Sequence, residues 1–456
     1  MTLSLTDRWT LLVAVVAAMS CALPGVWLML RRHSMLGDAL SHTALPAIVV
    51  VVLLTHLLES SGWMRPLSTI GEQLALFVGA AGVGLLTAFL TEKLEQSSPL
   101  DSGAALGVVF TGFFAVGLLL LRLFLDKHHL DADCVFFGSL DAEVMSAYWT
   151  GHAPASFWVN LCVLAVNLGL TALFFKELQL AAFDPELAVS LGFSAKWLHY
   201  GLLAATSITL TAAFKSVGTI LAIGLLSAPP ATAFLLTRRL KPLLGMTLLV
   251  AAAAAVLGAW AAKSLPVMIF PRLGFPSARS AQTPGMVAVA AGFLFLMAML
   301  FSPQEGLLTR WKHRRKLMRR IAAEDLLGLL FRAEESREKS PQLAGLALKD
   351  FQAQCQRFGI SPREVRIGRQ ELRAKEWVVE AEERLRLTET GRAVASRVVR
   401  GHRLWESYMQ KHFDLPSDHL HGTAHVVEHF LDADLDGQLS AELHSPHEDP
   451  HGKAIP

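Results

Sequence analysis

Long apolar stretches alternate with short polar breaks through the first two-thirds of the chain, and each approaches the roughly 20 residues that a helix needs to cross a bilayer. The expected spans are residues 10–30, 35–58, 73–91, 102–122, 155–175, 198–214, 217–237, 243–262 and 284–301. Only Lys215 and Ser216 part the sixth from the seventh, so these are either two spans or one broken helix. From residue 321 the pattern changes to apolar positions at helical spacing, over about 321–335, 343–358, 362–375, 388–411 and 418–431. Residues 377–389 (WVVEAEERLRLTE) alternate with a period of two, as a small hairpin does. Three helices and then a hairpin is the order of a winged helix. The stretch SPRE (361–364) supplies its third helix with Ser361 as N-cap, Pro362 at the first helical position and Glu364 to close a capping box. The tail 444–456 reads as short, polar and extended. The pattern predicts an all-α polytopic membrane part of about nine spans, followed by a soluble winged-helix part.

Charge sharpens the division. Residues 1–309 carry 16 Lys/Arg and 16 Asp/Glu, whereas the shorter stretch 310–456 carries 25 and 23, together with ten of the 17 histidines. A membrane domain is expected over 1–309, a basic juxtamembrane linker over 310–320 (RWKHRRKLMRR), a winged-helix-like part over 321–390 and a further helical part over 391–456. With nine spans, the linker falls on the same side as Arg31 and Arg32 and as Arg238, Arg239 and Lys241. That Lys/Arg excess marks the cytoplasmic side, against Lys263, Arg272 and Arg279 on the other, and puts the soluble part in the cytoplasm at an inner membrane. Cys21, Cys134, Cys162 and Cys355 are scattered without a paired motif and read as ordinary buried thiols. Only Arg8 precedes the first apolar stretch and further spans follow it, so that stretch reads as a span rather than a cleaved signal peptide. No G-x-x-x-x-G-K-[ST] occurs, and no nucleophile–base constellation. The chain is therefore not expected to bind nucleotide, to be an enzyme or to power transport by itself.

Within the second span, GDALSH (37–42) sets Asp38 and His42 four residues apart, on one helix face. They lie roughly 9 and 15 Å beyond Arg32 along a helix. An ionised carboxylate in a bilayer is expensive, so such a residue usually faces a cavity or a partner. A carboxylate oxygen beside an imidazole nitrogen suits Mn²⁺, Fe²⁺ or Zn²⁺, and a divalent cation would offset the burial of Asp38. The plainer alternative has Asp38 capping or bonding to a neighbouring span while His42 packs. Between the fifth and sixth spans, FDPELAVSLGF (183–193) reads as a short helix started by Asp184, Pro185 and Glu186 and ended by Gly192.

These stretches carry a resemblance. MLGDALSHTALP (35–46), DSGAALGVVFTGFFAVGLLL (101–120), FDPELAVSLGF, SVGTILAIGLLSAPPATA (216–233) and TPGMVAVAAGFLFLMAMLFSPQEGLL (283–308) come in the order found in permease subunits of ABC transporters for manganese, zinc and iron. The resemblance implies that metal passes at Asp38 and His42, and that Asp184, Pro185, Glu186 and Gly192 shape a helix that docks into an ATPase. It also implies a separate ABC ATPase, an extracytoplasmic metal-binding receptor and a second permease subunit, identical or homologous. QTPG (282–285) departs from the acidic residue and Pro-Thr-Gly usual there, so that stretch is given no metal role.

In the soluble part, His402 and Glu406 share a helix face, as do His421, His425 and His429, with Glu428 three residues beyond His425. Six N and O donors on two helices form a strong metal signal. The run LTETGRAVASRVVRGHRLWESYMQKHF (387–413) resembles the diphtheria toxin repressor family, and so do LHGTAHVVEHFL (420–431) and DPHGKAIP (449–456). The resemblance implies a repressor-like metal-binding and dimerisation domain. His402, His425, Glu428 and His429 would hold the regulatory metal, and Glu406 and His421 an ancillary one. His425 replaces the usual cysteine or glutamate, Asp325 occupies a position that is a ligand in some relatives, and Gly328 stands where a further acidic ligand is common. Arg363, Arg366, Arg369 and Arg373 are candidate DNA contacts. The expected function is import of a divalent transition metal (Mn, Fe or Zn) with a fused metal-sensing domain. The rivals are a membrane-tethered metal-dependent transcription regulator and a permease for a chelated metal.

Overall fold

The computed structural model describes residues 4–31, 34–61, 68–97, 99, 101–125, 140, 144–145, 153–269, 271, 281–337, 346–381, 384–413 and 420–456. They form two compact units, Met1–Thr309 and Arg310–Pro456.

The described part of the first unit is helical. Seven stretches are long and apolar enough to cross a membrane: Leu5–Leu30, Ile70–Ser97, Gly103–Phe124, Ala155–Leu173, Ser216–Leu236, Leu240–Met268 and Thr283–Phe301. The expected spans at 35–58 and 198–214 are also helical, within Ser34–Ser60 and Ala195–Leu236, but they stand outside that set of seven. The sixth and seventh expected spans form one helical run, Ala195–Leu236, interrupted at Gly218 with φ 78° and ψ 164°. A residue bearing a Cβ rarely adopts such a φ, which is why the interruption falls on glycine.

The helix Leu5–Leu30 lies at the centre and packs along Ala195–Leu236 and Leu240–Ile269. Its buried face is rich in small residues, Ala14, Ala17, Ala18, Cys21 and Ala22, which let backbones approach closely where lipid offers no hydrophobic drive to pack. Two buried asparagines on Ala155–Leu173 add directional bonds. Asn167 Nδ2 donates to Thr209 Oγ1 at 2.8 Å and to the Ser20 carbonyl at 3.4 Å. Asn160 Nδ2 donates to the carbonyls of Ser156 (2.9 Å) and Ala212 (3.4 Å). Cys21 is buried as expected, but Cys162 is exposed, because it lies on the outward face of its helix, and Cys134 lies outside the described residues.

The second unit contains the helix Leu307–Arg337 from Arg310 onward. It continues through β1 (Leu346–Ala347), the helices Leu348–Arg357 and Pro362–Ala374, β2 (Val378–Ala381), β3 (Arg384–Leu387) and the helices Glu389–His412, Leu420–Val427 and Ala433–Glu442. The antiparallel sheet has the order β1-β3-β2, with Leu346 opposite Leu385 and Val378 opposite Leu387. This is the order of elements expected above. Val378 and Leu385 turn inward onto Leu326, Leu327, Leu330, Phe351 and Leu372, giving the unit a core of its own. The expected capping box is present: Ser361 Oγ accepts from the Glu364 amide at 3.3 Å, and Glu364 accepts from the Ser361 amide at 2.8 Å. Burial raises the Cys355 thiol to about 11, so it is an inert core group.

Two expectations fail here. The helix foreseen over 418–431 ends at Val427, and Asp432, accepting from the Leu435 amide at 2.9 Å, caps a further helix that the pattern did not reveal. The tail is not extended. His444 and Ser445 take positive φ and turn the chain, and Glu448 bridges Ala454. Arg400 donates to the Pro456 carbonyl at 3.0 Å, and buried Arg403 donates to that of Ala454 while pairing with Glu335 at 2.6 Å and Asp449 at 3.4 Å. A buried guanidinium needs such partners, and the tail supplies them.

Candidate metal centre

Three helices of the second unit bring seven ionisable side chains together. Glu324 and Asp325 come from Leu307–Arg337, and His402 and Glu406 come from one face of Glu389–His412. His425 stands in the last turn of Leu420–Val427, and Glu428 and His429 stand in the turn after it. Among the described residues, Asp325, His425, Glu428 and His429 each offer a ligand atom within 4.8 Å of the others. Two donors on one ion at about 2.1 Å each are at most about 4.2 Å apart, so closing on a cation needs only small side-chain shifts. Asp325 Oδ1 and His429 Nε2, both buried atoms, form an ion pair at 2.9 Å. Two ligand-type atoms held this close, with a second imidazole and a second carboxylate beside them, suit a divalent transition metal.

The rest of the cluster orients these groups. Glu428 Oε1 lies 3.1 Å from His425 Nδ1 and 3.7 Å from His429 Nε2, while its Oε2 lies 2.6 Å from His402 Nδ1. His402 Nε2 in turn lies 3.1 Å from Glu406 Oε1. The expected ligand His402 is thus engaged by two carboxylates and stands beside the four-donor group. His425 Nε2 is 3.7 Å from Asp325 Oδ1. His421 belongs to Leu420–Val427, but its side chain lies outside the described ones. Glu324, which sequence reasoning missed, accepts from His429 Nδ1 at 2.9 Å and from Arg320 Nε at 2.7 Å. That arrangement fixes the ring so that Nε2 faces Asp325, the carboxylate–histidine pattern of metal sites. Its only sequence signal was an acidic pair whose second member had drawn notice.

Electrostatics set the proton state of the metal-free cluster. Burial alone would raise the Glu428 carboxyl, but the imidazoles of His402 and His425 bring it down to about 2. Burial would lower His429, but the carboxylates of Asp325 and Glu324 hold it up at about 9. Burial works against a charged Glu324 too, yet His429 and Arg320 hold its carboxyl below the usual range. His402 is raised by Glu406 and Glu428 against the effect of burial, and His425 is raised chiefly by its bond to Glu428. A metal must displace the protons on His425 and His429.

In the first unit, Asp38 and His42 do share a face of Ser34–Ser60, with His42 Nε2 3.7 Å from Asp38 Oδ1 and the side chains 54 % and 37 % exposed. The His42 ring stacks on Phe110 at 5.5 Å and meets Phe114 edge-on at 5.3 Å. Asp184 caps the short helix Pro185–Ser190, accepting from the Leu187 amide at 3.0 Å, and Gly192 turns the chain after it at φ 85°. Glu186, Leu187, Val189, Leu191 and Phe193 are exposed around the buried Ala188. Of the candidate DNA contacts, Arg369 pairs with Glu380 at 2.8 Å and Arg373 pairs with it as well, whereas Arg363 and Arg366 are exposed.

The chain thus holds one unit of membrane-length apolar helices and another in which four metal-ligand side chains converge. The chain belongs to the ABC 3 transport family, whose model matches residues 6–270. Residues 388–456 match the model described as iron dependent repressor, metal binding and dimerisation domain. The manganese transport system membrane protein MntD of Bacillus subtilis is 35 % identical over 307 residues, covering 67 % of this chain and 95 % of that protein. A probable metal transport system membrane protein of Chlamydia trachomatis is 27 % identical over 446 residues, 96 % of this chain and 93 % of that one, and so aligns through both units. The solved structure of PsaBC from Streptococcus pneumoniae in complex with Fab superposes with a TM-score of 0.52 at 25 % identity, covering 66 % of this chain and 94 % of that chain. The permease relatives are transport subunits rather than enzymes.

Proposed function

We propose that this chain is the permease subunit of an ABC importer for a divalent transition metal, manganese before iron or zinc, with a cytoplasmic domain that senses the imported ion. The observation that carries the reading is the convergence of Asp325, His425, Glu428 and His429 in a chain whose spans belong to the ABC 3 transport family. Manganese is favoured because relatives such as MntD are manganese transport proteins. Metal handed over by an extracytoplasmic receptor passes Asp38 and His42, which replace part of its hydration shell while the cation offsets the cost of a carboxylate within a span. Two permease subunits, identical or homologous, enclose the pathway. A separate ATPase docks on the exposed face of Pro185–Ser190 and drives the cycle. Metal accumulating in the cytoplasm fills the second unit, which then restrains further uptake.

The test is metal accumulation in cells carrying Asp38→Ala or His42→Ala, with membrane levels checked by blot. Each variant abolishes uptake of the free ion. Normal uptake in both removes the intramembrane site and favours a chelated cargo that brings its own ligands. DNA binding is the weaker reading of the second unit, since Glu380 holds two of the four arginines offered for it.

A further inference from the structure

The basic cluster that follows the last span forms one wall of a groove of about 560 Å³ in the second unit. Trp311, Arg314, Arg315, Met318 and Arg319 line that wall, and their spacings of three and four put them on one face of the helix Leu307–Arg337. Arg363, in the first turn of the helix Pro362–Ala374, lines the other wall. All four arginines are exposed, and none of them pairs with a carboxylate or makes a hydrogen bond among the described residues. Their neighbours differ. Arg320 is held by Glu324 at 2.7 Å, and Arg369 and Arg373 are held by Glu380. Among the described residues lining the groove, Glu364 alone carries a carboxylate, and it is engaged as a cap by the Ser361 amide at 2.8 Å.

Four guanidinium groups around one opening repel each other until an anion meets them, and their planar forks match the oxygens of a phosphate. Two further observations say which phosphate. Trp311 and Met318 are 51 % and 47 % exposed, so apolar surface lies among the arginines, and the Arg315 guanidinium stands over the Trp311 ring, 3.9 Å from its centre. An exposed Trp beside basic side chains suits the level of lipid head groups, where one end of a ligand is charged and the other apolar. The link from the last span, Thr283–Phe301, to this helix is residues 302–306. A chain of that length reaches about 20 Å at most, so the first turns of the helix stay near the bilayer surface and its anionic head groups.

We propose that this groove binds the head group of an anionic phospholipid from the membrane that the chain spans. The arginines take the phosphate oxygens, while Trp311 and Met318 cover the apolar part of the lipid next to them. Because Arg363 belongs to Pro362–Ala374, the contact seats that helix on the bilayer along with the basic linker, and it occupies one of the arginines offered above for DNA.

The experiment uses the full chain in nanodiscs of phosphatidylcholine alone and of an equimolar mixture of phosphatidylcholine and phosphatidylglycerol. Phenylglyoxal, which modifies accessible guanidinium groups, is added, and each arginine is read by peptide mass spectrometry. Phosphatidylglycerol slows modification of Arg315, Arg319 and Arg363 about tenfold, the equivalent of about 1.4 kcal/mol. Arg366, exposed on the same helix as Arg363 but outside the groove, is unaffected. Arg315→Gln combined with Arg319→Gln, both at exposed positions, removes the protection of Arg363 on the opposite wall. Equal modification in the two nanodiscs overturns the proposal. So does protection that leaves Arg363 reactive, which is the general attraction of a basic linker to an anionic surface. Two additions to phosphatidylcholine nanodiscs complete the test. If inorganic phosphate protects Arg363 as well as phosphatidylglycerol does, the groove is a site for a free anion and the proposal falls. If a DNA duplex protects it and phosphatidylglycerol does not, the groove reads nucleic acid and the proposal falls equally.

Discussion

His425 is the proposed ligand whose removal separates metal binding from folding most cleanly. Its side chain is 50 % exposed, and Glu428, its bonded partner, keeps His402 at 2.6 Å. The metal-free second unit should therefore change stability by no more than about 1 kcal/mol in His425→Ala. Metal binding should change far more. A ligand bound only to the folded state adds RT ln(1 + [L]/Kd), about 2.7 kcal/mol at a hundredfold excess over Kd. Loss of a residue that merely supports a metal ligand weakens affinity by about 10–100-fold, and loss of one of four ligands should reach at least the upper figure. At unchanged metal concentration the increment then falls to about 0.4 kcal/mol. The assay is urea unfolding of residues 310–456, which have their own core, with and without Mn²⁺ and then with Fe²⁺ and Zn²⁺. An undiminished metal increment in His425→Ala refutes the four-donor site. A large loss of stability in the metal-free variant refutes the argument that exposure makes His425 expendable to the fold.

Metal-free residues 310–456 should be most stable between about pH 4.5 and 6.5. Glu428, depressed from 4.5 to about 2, contributes above 4.5 and loses that contribution as pH falls through 2, whereas His429, raised from 6.5 to about 9, contributes fully below 6.5 and loses it as pH rises through 9. Denaturant midpoints across pH check this, and a maximum near pH 9 contradicts it. Glu324→Gln should weaken metal binding about 10–100-fold by loosening the His429 ring, visible as a changed absorption spectrum of bound Co²⁺; an unaltered spectrum and affinity remove its positioning role. Glu186→Lys should reduce co-purification of the partner ATPase, because it reverses a charge on the exposed face of the short helix. Unchanged co-purification places the docking surface elsewhere.

What could be read in the sequence follows the range of the forces involved. Helix existence depends on local periodicity and caps, so Ser361–Glu364 and Asp184–Pro185 announced their helices correctly. Asp38 with His42, and His402 with Glu406, share faces because four-residue spacing decides it. What depended on distant chain was hidden. Glu324 reaches His429 across 105 residues, and nothing at Glu324 itself distinguishes it from a solvated helix acid. The tail's turn depends on Arg400 and Arg403, half a hundred residues away, so the thirteen-residue tail taken alone read as extended. His402 was placed among the ligands by its motif and helix face, and that it meets Glu428 across 26 residues as well as Glu406 on its own helix needed the fold.

The interruption at Gly218 bears on motion. Bending an intact helix within a bilayer strips hydrogen bonds from carbonyls that have no water to turn to. In Ala195–Leu236 side-chain donors already reach two carbonyls just before the break: that of Ala213 accepts from Ser216 Oγ at 3.0 Å and that of Ala212 from Asn160 at 3.4 Å. A non-helical glycine with side-chain donors on the carbonyls beside it is where such a run changes direction at least cost to its hydrogen bonds, which suits a protein that must open first to one side of a membrane and then to the other.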